Sequence, residues 1–269
     1  MELVNKTIMK NTLLILCFLF SLKSMACGCL NSSTIDAKYL RSEVVAKVKI
    51  LKIYKNVDNY LYYKADVLVE KIYKGNDLEL KSIYIYGDND GELIGRMGTS
   101  CDIFIPLGAE LLIYTSKNER GEYTLNQCSG HLDLYTTQKW QKERNKLELK
   151  VIKKLKRKKI KLIYNKGKEV FPSHLYDSLQ VFNNIKLRKR YAIFEIDYKS
   201  YGSEKLEVEL EDIKVICGFN KKLDAQLIEI FKKVVWRSKI KEGQSSKRLL
   251  IIKYKKATEK EPSHLIHDF

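Results

Sequence analysis

The sequence predicts two small domains: a curled β-rich barrel carrying helices, then an α+β unit, with a basic helix between them. Three observations lead there. Five segments rich in β-branched and aromatic residues crowd the first half, and the gaps between them are too short for crossover helices. The second half instead orders strands, a helix and a last strand. Between the halves lies a lysine-rich stretch without glycine or proline.

Residues 1–26 read as an export signal. Lys6 and Lys10 precede the apolar run from Thr12 to Leu22, and Ser24 and Ala26 supply small residues before Cys27. The run is shorter than the roughly twenty residues that span a bilayer, so cleavage after Ala26 is expected rather than anchoring. Cleavage leaves Cys27, Cys29, Cys101, Cys128 and Cys217. An oxidising compartment lets disulfides persist, so the first four read as two bridges with the pairing open, and Cys217, between apolar neighbours, as a buried thiol.

In the first domain, 27–134, Thr34 is placed to cap a short helix from Ile35 to Leu40. Strands are expected at 44–54, 62–73, 82–86, 110–114 and 122–125, separated by Lys74-Gly75-Asn76, Asp88-Asn89-Asp90-Gly91 and Asn118-Glu119-Arg120-Gly121. The linker, 135–166, predicts a helix with Trp140, Arg144, Leu147, Val151 and Leu155 on one face. Its end, Lys156-Arg157-Lys158-Lys159, is a candidate grip for phosphates or an anionic membrane surface.

The second domain, 167–257, predicts a helix over 173–183, strands at 191–198, 206–211, 213–217 and 248–254, and a helix over 225–235 capped by Asp224. Clean alternation sends Leu206, Val208 and Leu210 inward and Glu207, Glu209 and Glu211 to water. Residues 258–269 read as a polar tail, with His264 and His267 fraying in it.

The formal charge of +17 falls only to +15 without the signal. Such an excess suits an anionic partner or a solvated surface, and for an exported chain nucleic acid is not the expected partner. No His-Glu-x-x-His run, phosphate-cradling glycine loop or Gly-x-Ser-x-Gly elbow is present, so no catalytic, cofactor or metal residues are assigned. Asp88, Asp90 and Glu92 read as a turn rather than a calcium loop.

On Cys27-Gly28-Cys29, the following helix, Lys74-Gly75, Cys101 with Phe104 and Leu107-Gly108, and Gln127-Cys128-Ser129, the first domain resembles the netrin-like or tissue-inhibitor-of-metalloproteinases-like family, an OB-type barrel. That resemblance implies bridges Cys27–Cys101 and Cys29–Cys128. It also implies that a free Cys27, with Gly28 beside it, contacts a partner, in the inhibitors a protease zinc. Ser24-Met25-Ala26-Cys27 is also an imperfect lipobox, and acylation would consume the Cys27 sulfur. On Phe182–Ile185, Ile213–Gly218, Leu223-Asp224, Trp236 and the strand 248–254, the second domain resembles the C-terminal domain of the TonB family, though it lacks that family's proline before the tryptophan and its proline-rich spacer.

The fold class expected is therefore a disulfide-stapled OB-type β-barrel with helices, followed by an α+β TonB-C-like domain. The function expected is non-catalytic: an extracytoplasmic binding or scaffold protein of a bacterial cell envelope, periplasmic, outer-membrane-associated or secreted. Its expected partners are a protein or an anionic envelope component, with peripheral or lipid-anchored membrane association. The alternatives are a metalloprotease inhibitor acting through Cys27, or an envelope enzyme with an unrecognised site.

Overall fold

The structure, a computed structural model, describes residues 34–54, 61–75, 80–89, 101–160, 170–200, 207–238 and 245–267. The first sheet holds β1 (Val44–Tyr54), β2 (Tyr62–Lys74), β3 (Ser82–Tyr86), β4 (Glu110–Lys117), β5 (Tyr123–Leu125) and β6 (His131–Asp133). Five of these run in the order β1-β2-β3-β5-β4, and β4 returns to pair with β1 from Val44↔Thr115 to Lys49↔Glu110, closing a barrel. Register shifts along β1–β2 at Val45/Ala46, Lys47/Val48 and Ile50/Lys52 give the bend that closure requires. Alternation fills the interior with Ala46, Val48, Ile50, Leu111 and Ile113, and turns Val45, Leu112 and Tyr114 outward.

The outward face is buried as well. The second sheet is wholly antiparallel, in the order β12 (His264–His267), β11 (Ser245–Lys255), β8 (Tyr191–Ser200), β9 (Glu207–Cys217), β10 (Trp236–Ser238), β7 (Val170–Pro172). One face packs on α3 (Leu175–Leu179), the 3-10 turn Gln180–Phe182 and α4 (Lys221–Lys233), where the Phe194 and Phe231 rings meet edge to face at 5.0 Å. From its other face Ile193, Leu249 and Ile251 join Val45, Leu112 and Tyr114 of the barrel in one shared core. Leu249, Leu250, Ile251 and Ile252 are all fully buried because β11 has protein on both sides.

Two helices complete that shared core: α1 (Ile35–Arg41) through Ile35 and Tyr39, and α2 (Lys139–Arg157) through Val151, Ile152 and Leu155. Thr34 caps α1, accepting from the Ala37 amide at 3.3 Å. All four carbonyls of its last turn have donors. The Ser42 hydroxyl serves Lys38 at 2.6 Å, the Lys74 ammonium serves Tyr39 at 2.6 Å and Leu40 at 3.0 Å, and Ser116 serves Arg41 at 3.0 Å.

Two charges of this helix are buried. Lys38 Nζ donates to Glu148 Oε1 of α2 at 2.5 Å, and the Tyr114 hydroxyl donates to the same oxygen at 2.5 Å. Arg248 Nε of β11 donates to Asp36 Oδ2 at 3.4 Å. Gly130, at φ +82°, lets the Lys38 stem pass, since a Cβ there would lie 2.6 Å from Lys38 Cδ.

Several expectations need correction. The disulfide-stapled class is corrected in what closes the barrel: no disulfide joins two described residues, and closure is made by the β1–β4 hydrogen bonds. Cys217 is a free thiol, Cys101 and Cys128 are in the disulfide-bonded state, and Cys27 and Cys29 lie outside the described residues, as does the expected signal. The few-stranded α+β TonB-C-like layer is corrected to a six-stranded antiparallel half-barrel with helices on one face, because the segments at 170–172, 236–238 and 264–267 add strands too short for patterning to reveal. The segments expected at 206–211 and 213–217 form one strand, kinked where register slips between Asp197 and Tyr198. Asn220, not Asp224, caps α4, and Asp224 instead accepts from the Phe219 amide at 2.8 Å.

Removing one partner of a buried ion pair strands the other charge, which typically costs about 3–5 kcal/mol. Glu148→Ala is expected to destabilise by that order in urea unfolding, whereas Lys38→Met, Tyr114→Phe and Glu148→Leu together cost less than Glu148→Ala alone. Burial pushes the Lys74 ammonium down to about 8. The unfolded chain then holds more protons between pH 8 and the ordinary lysine value, so stability rises with pH through that window. Lys74→Met should abolish this gain in unfolding curves taken across it.

Candidate functional site

Helix α2 is held by its inward face. Besides Val151, Ile152 and Leu155 that face carries Asn145, whose amide donates to the Asp133 carbonyl at 2.8 Å, and the paired Glu148. The expected apolar stripe is thus rotated: Trp140 is 63% exposed and Arg144 is exposed, because two polar residues with buried partners take the inward positions. At the helix end the Tyr191 hydroxyl donates to the Lys150 carbonyl at 3.3 Å, and Lys156 Nζ to the Ile72 carbonyl at 2.6 Å, so both sheets hold it.

What this fixed helix presents to water is a row of cations. Lys139, Lys142, Lys146, Lys150, Lys153 and Arg157 recur at intervals of three or four residues, and all are exposed. At 3.6 residues per turn they fall within an arc of about 80°. Glu143 is the one exposed acid of α2, since Glu148 is turned inward. Neighbouring members of the row are attached about 5–6 Å apart, within the screening length of about 8 Å at physiological salt, so their fields add.

Of the residues singled out from sequence, Lys156, Arg157, Lys158 and Lys159 are exposed at the end of α2, with Lys158 as its C-cap and Lys159 left-handed at φ 50°. Only Arg157 belongs to the row. Cys27, Gly28 and Cys29 lie outside the described residues, and Cys101 and Cys128 are half-buried beside the barrel. No known protein-family model matches this chain, and no curated protein does.

A concavity of about 460 Å³ lies under β12, lined by Tyr176, Gln180, Asn183, Lys255, Glu261, His264 and His267 among others. The histidines expected in a fraying tail are therefore on a strand, and His267 is buried. Burial first, then Arg248 and Lys253, hold its imidazole well below the ordinary range and hence neutral at pH 7. Among the described residues no three His, Cys, Asp or Glu side chains gather as metal ligands, and no helix is long and apolar enough to cross a membrane.

Like charges three or four residues apart destabilise a helix by about 0.2–0.5 kcal/mol per pair. Lys150 has Lys146, Lys153 and Lys154 at those spacings. Lys150→Glu is therefore expected to raise Tm at low salt, with the gain shrinking as salt is added; an unchanged Tm would mean that the row carries no repulsion.

Proposed function

We propose that this chain is a non-catalytic, extracytoplasmic binding or scaffold protein, in which two sheets act as a rigid base for a cationic helix that docks an anionic partner. The observation that carries the reading is the exposed cation row on a helix whose opposite face is locked into the shared core. Local repulsion makes such a row costly to the fold, and a sequence that keeps a locally unfavourable pattern commonly does so at a functional surface. Export rests on the reading of residues 1–26.

The test separates the row from net charge. Lys146→Gln, Lys150→Gln and Lys153→Gln in one variant, and exposed Lys222→Gln, Lys256→Gln and Lys260→Gln in another, remove the same charge from different places. On sulfated dextran the first variant should elute at clearly lower salt than the second, which should stay near the parent. Equal elution of the two would contradict the reading.

A further inference from the structure

We infer that the occupant of the α2 row is a linear acidic polysaccharide carrying about one carboxylate per sugar, lying along the helix; this rests on the reading of α2 as a docking surface. The row is one-dimensional. Lys139 to Arg157 spans about 27 Å at 1.5 Å per residue, and successive cations rise by about 4.5 or 6 Å. A polymer with regularly spaced single charges meets all six at once, whereas a small anion meets two.

Other polyanions fit the page less well. Duplex nucleic acid carries a charge every 1.7 Å or so of axis, about three times the density that the row matches. Single strands need aromatic platforms repeated between the cations, whereas α2 exposes one aromatic, Trp140 between Lys139 and Lys142, and from Lys142 to Arg157 every exposed residue is charged. An anionic bilayer is gripped by helices that also insert an apolar face, and here Val151, Ile152 and Leu155 are spent on the shared core.

The experiment is calorimetric titration of the full chain with oligogalacturonates of two to twelve sugars, at low and at moderate salt, beside vesicles of phosphatidylglycerol in phosphatidylcholine. Affinity should climb with length up to about six charges and then level off. The Lys146/Lys150/Lys153→Gln variant should lose about 100-fold, at roughly a tenfold or less per contact, with a shallower salt dependence, while the Lys222/Lys256/Lys260→Gln variant changes about twofold or less. Equal losses in the two variants, or affinity indifferent to length, would overturn the inference. Binding to vesicles without binding to oligogalacturonate would also overturn it, while leaving an anionic docking surface in place. Binding to neither probe, together with equal elution of both variants from sulfated dextran, would remove the docking surface itself.

Discussion

Asp36 and Lys38 stand two residues apart on a seven-residue helix, and each is buried against a charge from a different part of the chain. Asp36 meets Arg248 of the second sheet, and Lys38 meets Glu148 of the long helix. Neither pair is an obvious source of net stability, because desolvation offsets most of the attraction between buried ions. Their effect is on geometry. A Lys38 moved by one turn would leave the buried Glu148 carboxylate with only the neutral Tyr114 hydroxyl as a donor, and a shifted second sheet would strand Asp36. The apolar contacts of the shared core tolerate small slips; these pairs do not.

The same constraint reaches the surface. Glu148 must face Lys38, and Asn145 must face the Asp133 carbonyl, so the rotation of α2 about its axis is set by polar contacts as much as by Val151, Ile152 and Leu155. Once that rotation is fixed, residues half a turn away point to water together. The cation row is aligned for this reason, and the closed barrel and the half-barrel sheet keep the helix from swinging.

Much of this architecture was legible. Strands with strong β-branched or aromatic runs, such as 44–54 and 82–86, appear at the expected bounds, and the strand expected at 248–254 lies within β11. The three-residue strands at 131–133, 170–172 and 236–238 were not legible, since pairing rather than local preference makes them. The face of α2 was misjudged for a physical reason: hydropathy assigns Asn145 and Glu148 to water, and only tertiary partners bring them inside. The cation row needed no structure to be seen. Its interval of three and four runs through 139–157, whereas the denser cluster at 156–159 marks only the helix end.

The central claim is that barrel and sheet share one core and therefore open together. Hydrogen exchange followed by mass spectrometry on the full chain across a urea series measures this directly. The account predicts that protected amides of β1, β4, β8 and β11 converge on one opening free energy with one urea dependence. If β8 and β11 opened at clearly lower urea than β1 and β4, the two sheets would be separate units, and the buried pairs of α1 would not be what joins them.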